Sequence, residues 1–184
     1  MKRILVIALC LSCFLCKAQN MSFLGIPMGT NIESFKRELL TKDGFSDHPL
    51  PYENIYGVDG IFAGMQAAIS IETTPKSKLV YEVTVAFTDL SYDVYDIDAA
   101  QKQELQEDYY EQTRLKLINK YGNPTQNTIS YNCFLKWCYW ETNLGRVDLK
   151  IYQPIDDLSY RRLQVSYRDS KTAQKNLSEE DADW

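Results

Sequence analysis

QAAISIETTPKSKLVYEVTVAFTD, residues 66–89, reads as two amphipathic strands joined by a turn. Ala67, Ile69 and Ile71 alternate with Gln66, Ser70 and Glu72. After the turn-forming run Pro75-Lys76-Ser77-Lys78, Tyr81, Val83, Val85 and Phe87 alternate with Glu82, Thr84 and Ala86. A period of two means a half-buried antiparallel sheet with one wet face. The pattern recurs: RVDLKIYQPIDDLSYRRLQVSYRD, residues 146–169, lies against it without a gap at an offset of 80 positions. Ala67, Ile69 and Ile71 fall on Val147, Leu149 and Ile151; Val83, Val85, Phe87 and Asp89 fall on Leu163, Val165, Tyr167 and Asp169.

Working outward, each half gains an earlier strand, about Ile55–Ala63 and about Tyr131–Glu141. Further turns are expected at Thr142-Asn143-Leu144-Gly145 and Pro154-Ile155-Asp156-Asp157. Each half also gains a leading helix. Thr30 with Glu33 makes a capping-box pattern, followed by Ile32, Phe35 and Leu39 at helical spacing. Gly44 suits the left-handed cap beyond that helix. The second helix is expected over about Ala99 to Tyr121, with Asp96 and Asp98 at its positive end and Gly122 and Pro124 stopping it. Leu117, Ile118 and Tyr121 form its clearest apolar face, with Tyr110 earlier. The expected fold is α+β: two helix-strand-strand-strand repeats, about 22–90 and 91–170, forming a roughly six-stranded antiparallel sheet with helices on one face. The polar residues 171–184 are expected to be a fraying tail.

The first 18 residues read as an export signal. Lys2 and Arg3 precede an apolar run from Ile4 to Leu15, too short to span a bilayer comfortably, and Cys16-Lys17-Ala18 places small residues before Gln19. Periplasm, cell envelope or the exterior is therefore the expected location. Lipid attachment at Cys13 or Cys16 is disfavoured, because Cys10 stands where an aliphatic residue belongs for the first and Leu15 precedes the second. Cleavage removes Lys2, Arg3 and Lys17 and moves the formal charge from −5 to −8. An acidic chain with no Lys/Arg cluster is not expected to bind nucleic acid. No second apolar run suggests an integral membrane segment.

No assembled chemistry stands out. Cys133 and Cys138 survive cleavage, but five steps along a strand separate their Cα atoms by about 17 Å. A disulfide needs roughly 4.4–6.8 Å, so two reduced cysteines are expected. The single histidine, His48, sits beside Asp47 and Pro49 and reads as an ordinary loop residue. Asp93, Asp96 and Asp98 resemble a calcium-ligand run without the glycine and later glutamate of an EF-hand, and fit better as helix-start acids. Glu104, Glu107, Asp108 and Glu111 read as a solvated helix face. No catalytic residue, metal ligand or cofactor site is assigned. The aromatics of the strand 131–141 are the surplus: Tyr131, Cys133, Leu135, Trp137 and Tyr139 are expected to point inward, and Phe134, Cys138 and Trp140, with Lys136 between them, outward. Phe134, Trp140 and Tyr152 are accordingly the candidate binding residues of the open face.

Ser22-Phe-Leu-Gly-Ile-Pro-Met-Gly-Thr30, Gly60-Ile-Phe-Ala-Gly64, Val80-Tyr-Glu-Val83 and Lys120-Tyr-Gly-Asn-Pro124 give the chain a likeness to a known group. It resembles uncharacterised small secreted proteins of Bacteroidales bacteria, whose shared positions are caps, turns and core. The tandem helix-plus-sheet plan is also similar to the architecture of beta-lactamase inhibitory protein and the BamE-type outer-membrane lipoproteins. That likeness implies a module that binds other proteins. The expected function is thus non-enzymatic binding of a protein partner through the open sheet face. The alternatives are a glycan-binding module using Trp140 and Tyr152, and a hydrolase whose acids cannot be picked out. N-terminal sequencing of the exported chain is expected to begin at Gln19; a start at Met1 would overturn the leader reading.

Overall fold

The computed structural model describes residues 20–88, 99–131, 134–153 and 161–181. A two-stranded ribbon, β1 (Ser22–Phe23) and β2 (Ile26–Pro27), leads into helix α1 (Ile32–Leu40). Strands β3 (Ser46–His48), β4 (Ile55–Phe62), β5 (Met65–Thr73) and β6 (Val80–Phe87) follow. Helix α2 (Ala99–Tyr121) precedes β7 (Gln126–Tyr131), β8 (Phe134–Glu141), β9 (Gly145–Tyr152) and β10 (Arg162–Asp169), and helix α3 (Ser170–Asp181) closes the order. The chain is α+β. Its main sheet has eight strands in the order β3-β4-β5-β6-β10-β9-β8-β7, paired antiparallel throughout.

Eight strands rather than six form because β3 and β7 extend the two edges. Neither shows an apolar alternation: β3 is Ser-Asp-His, with all three residues exposed. Backbone pairing with a neighbour holds such strands, not side-chain burial. The alternation elsewhere behaves as the sequence implies except at Tyr81, expected to face inward. It is half-buried and donates its phenol to Glu72 at 2.7 Å, while Val80 is the buried residue at that end of β6, because the register shifts between Glu72 and Thr73. Ala67, Ile69 and Ile71 on β5, Val83, Val85 and Phe87 on β6, Val147, Leu149 and Ile151 on β9, and Leu163, Val165 and Tyr167 on β10 are all buried. They join Ile32, Phe35 and Leu39 of α1 and Tyr110 and Leu117 of α2 in one core. Burying such a side chain is worth about 1.5–3 kcal/mol.

Helix α1 starts one residue later than the capping box implies. Asn31, not Thr30, is the N-cap: its side chain accepts a hydrogen bond from the Glu33 backbone at 3.0 Å. The Thr30 hydroxyl donates instead to the Pro27 carbonyl at 2.9 Å. Helix α2 matches its expected bounds. Gly122 takes a φ of 81° just beyond it, and its N–H donates to the Ile118 carbonyl at 2.8 Å, as a left-handed cap requires.

The expected fraying tail is different over 170–181, which form α3. The cause lies outside the helix's own weak pattern. Asp169, fully buried, accepts from the Thr172 backbone (2.8 Å) and hydroxyl (2.7 Å) on one oxygen. Its other oxygen accepts from the Met21 backbone at 2.7 Å. One carboxylate thus caps α3 and fastens the N-terminal ribbon to it. At the far end Glu179 accepts from the Lys76 and Ser77 backbones at 2.8 and 3.0 Å, and from the Ser77 hydroxyl.

Those bonds, the Ser77 hydroxyl foremost, hold the Glu179 carboxyl down to about 2 from its ordinary 4.5. In that window the unfolded chain binds the proton that the folded chain refuses. The stabilisation is therefore complete above about 4.5 and lost as pH falls towards about 2. Urea unfolding should find Glu179→Gln less stable than the parent at neutral pH, with the difference closing towards pH 2. A gap independent of pH would overturn the role of the ionised carboxylate.

Candidate functional site

The open face of the sheet is set by β8 and β9, whose hairpin is tightly pinned. Thr142 donates its backbone N–H and its hydroxyl to the Gly145 carbonyl, both at 2.8 Å. Its hydroxyl oxygen accepts from the Leu144 and Gly145 backbones at 3.2 and 3.0 Å. Gly145 must be glycine, since a Cβ there would sit 2.0 Å from the Arg168 carbonyl oxygen of β10.

Cross-strand register then pairs Trp137 with Lys150, Tyr139 with Asp148, and Glu141 with Arg146. Asp148 accepts from the Trp137 indole at 2.8 Å and from two nitrogens of Arg146 at 2.8 and 2.7 Å. The Arg146 guanidinium lies 3.9 Å from the centre of the Tyr139 ring and 5.4 Å from that of Trp137. The two rings are 5.3 Å apart. Each member is only half-buried. The forked Arg–Asp bond and the stacked cation fix both rings before any ligand arrives, at a stabilisation of about 0.5–1 kcal/mol per contact.

Two rows of paired residues run from this stack across the sheet. One passes Tyr139, Asp148, Ser166, Thr84, Ser70, Gly57 and His48. The other passes Trp137, Lys150, Gln164, Ala86, Ala68 and Asp59. Beyond the middle the side chains become small, leaving a groove of about 180 Å³ between Leu50 and His48 on one side and Arg162 and Gln164 on the other. The open face therefore has an aromatic ridge on β8 and β9 and a concavity centred on β5, four strand spacings from β8, or about 19 Å away.

This arrangement corrects the expected faces of β8. Trp140 is 1 % exposed and Cys138 fully buried; both point to the core, as does Lys136, whose ammonium meets Glu107 and Glu111 of α2 at 3.2 and 3.6 Å. Trp140 donates its indole N–H to the Gly122 carbonyl at 2.8 Å, tying β8 to the end of α2. It cannot anchor a ligand on the open face. Trp137 and Tyr139, expected inside, are the outward pair. The reason is a bulge: Phe134 pairs with Tyr152, but Lys136 pairs with Ile151, so Leu135 is an extra residue and the parity of the strand flips. Of the three candidate residues, register keeps Phe134 opposite Tyr152, and Tyr152 stays half-exposed.

The remaining candidates carry little chemistry. His48 meets Asp59, not Asp47, with Nδ1 3.0 Å from the carboxylate; Asp47 pairs with Lys36 at 2.7 Å. Ser70 shares the groove with His48, yet no hydrogen bond joins them among the described residues. Cys138 is a free thiol; burial pushes it up, and the phenol of Tyr110, which donates to it at 3.3 Å, is pushed up by burial too. A thiol so held stays protonated and unreactive near neutral pH. Cys133 and the run Asp93, Asp96 and Asp98 lie outside the described residues. Among the described residues no group of three or more His, Cys, Asp or Glu side chains could hold a metal ion. Glu107 and Glu111 are ion-paired to Lys136 rather than part of a wholly solvated helix face. No helix among the described residues is long and apolar enough to cross a membrane.

No family model, curated protein or solved structure matches the chain.

The two tryptophans of β8 should separate cleanly in urea unfolding. Trp140→Ala should cost about 3–5 kcal/mol, through lost core contacts and the lost bond to the Gly122 carbonyl. Trp137→Ala should cost no more than about 1–2 kcal/mol, since it loses only surface stacking and one bond to Asp148. Equal costs would contradict the faces assigned to them.

Proposed function

We propose that this chain is an exported, non-enzymatic binding module that takes a protein partner on the open face of its sheet. The observation that carries this reading is the half-exposed stack of Trp137, Tyr139 and Arg146 held by Asp148. Trp, Tyr and Arg are the side chains that dominate protein interfaces, because they bury much area with little loss of rotamer freedom. Here their geometry is already fixed, which lowers the ordering cost of association. The groove further along the same face would receive a protruding side chain or loop of that partner, and Tyr152 stands beside the ridge.

A duplication reading accompanies the proposal. Helix α1 precedes β3–β6 and helix α2 precedes β7–β10, and the two runs meet at β6 and β10. This order, with the offset of 80 between residues 66–89 and 146–169, supports two repeats of one helix-plus-sheet unit. Repeated units that share a sheet offer a broad, rigid surface, which suits protein recognition.

The test uses the full mature chain carrying a photocrosslinker at Tyr152, incubated with the envelope of its source. A discrete crosslinked protein is expected, and it should disappear in Trp137→Ala/Tyr139→Ala while circular dichroism stays unchanged. A glycan array run in parallel separates the sugar-binding alternative. Saturable sugar binding lost in the same double variant would replace the protein partner with a glycan. Crosslinking indifferent to both substitutions would sink the open-face proposal.

A further inference from the structure

On the side of the molecule where α2 packs, a pocket of about 200 Å³ lies between that helix and the tips of two hairpins. It shares no residue with the open-face ridge or groove. One wall is a single stripe of α2, with Thr113, Lys116, Leu117 and Lys120 at helical spacings of three and four. The opposite wall is made by Leu24 and Ala63, with the rings of Phe62 and Tyr167 between.

Both hairpin tips are in an uncommon state. Leu24 and Ala63 have φ of 49° and 55°, each followed by a glycine at 85° and 90°. Turns with two positive φ values favour Asn-Gly, because a side chain such as leucine is strained there. Leu24 nevertheless stands 38 % exposed at the pocket mouth. Such strain at a rim is held by the surrounding structure and tends to gather at binding sites.

The polar groups are asymmetric. Thr113 is 3 % exposed, and its hydroxyl has no hydrogen-bond partner among the described residues. A helical threonine ordinarily falls back on a carbonyl one turn earlier, so an idle buried hydroxyl needs a reason. Lys116 lies one turn further on; its ammonium donates to the Ala63 carbonyl at 3.2 Å, which stations it at the mouth with donors to spare. Lys120 adds a second exposed cation, 4.9 Å above the Tyr121 ring. Among the described residues no carboxylate lines the pocket.

We propose that this pocket binds one short alkyl chain bearing an anionic head, the chemistry of a medium-chain alkanoate. The chain lies against Leu117, Phe62 and Leu24. The carboxylate accepts from the Thr113 hydroxyl and pairs with Lys116 and Lys120. At roughly 30 Å³ per water-sized group the pocket holds about six or seven carbons.

Octanoate is the probe, titrated into the full mature chain and followed by amide chemical shifts, with octylammonium as the control of opposite charge. Octanoate should saturate, with shifts confined to residues 24–25, 62–64 and 113–120, and octylammonium should bind at least about tenfold more weakly. Thr113→Val is the decisive variant. It removes the idle hydroxyl without changing shape, so it should be at least as stable to urea, yet bind octanoate about tenfold less tightly. Lys116→Gln/Lys120→Gln should abolish the preference between the two charges. Equal binding of both probes, no saturation, shifts centred on Trp137, or an unchanged octanoate affinity in Thr113→Val would each overturn the proposal.

Discussion

The pairing of β6 with β10 is the constraint on which the molecule depends. These strands join β3–β6 to β7–β10, and without that seam the eight-stranded sheet would be two four-stranded ones. The seam is specified on both faces. Towards the core, Val83 meets Tyr167 and Val85 meets Val165, all buried. Towards the open face, the hydroxyls of Thr84 and Ser166 lie 3.0 Å apart, and Arg168 binds Glu82 through two nitrogens at 2.7 and 2.6 Å. A slip of one residue would place the charged pair in the core and the valines in water, so the register is strongly determined.

From that seam the two faces acquire different work. The inner face is apolar and closed by α1 and α2, with Trp140 and Tyr110 as large fully buried side chains. The outer face is polar at its middle and changes character towards each edge. Aromatic rings gather on β8, and small side chains on β5 and β6 leave a groove. Preorganisation is uneven as well: Asp148 and Arg146 restrain the ridge, whereas His48 and Asp59 form an exposed pair whose energy is screened by water. The ridge is therefore the more rigid of the two.

The two ends of the chain are tied into this frame by carboxylates. Asp169 links the N-terminal ribbon to α3, and Glu179 returns α3 to the turn between β5 and β6. Both contacts span more than a hundred residues, which is why the local polarity of residues 171–184 predicts only a tail. The nearest local signal was Asp169 with Thr172 three positions later, a capping arrangement. The pocket beside α2 was equally hidden: Leu24, Ala63 and Thr113 are far apart in the chain, and only folding puts them on one cavity.

Sequence by itself determined the α+β class, the bounds of α2, and which side chains of β5, β9, β10 and, Tyr81 apart, β6 face inward. Those features follow from periodicity, caps and alternation, which are local. Tertiary structure decided the edge strands, the helix at residues 170–181 and the faces of β8. On β8 both sides carry aromatics, so hydrophobicity cannot choose between them. The extra residue at Leu135 then reverses the parity, and a bulge is defined only by the partner strand it is counted against. For that reason Trp137 faces outward and Trp140 lies in the core.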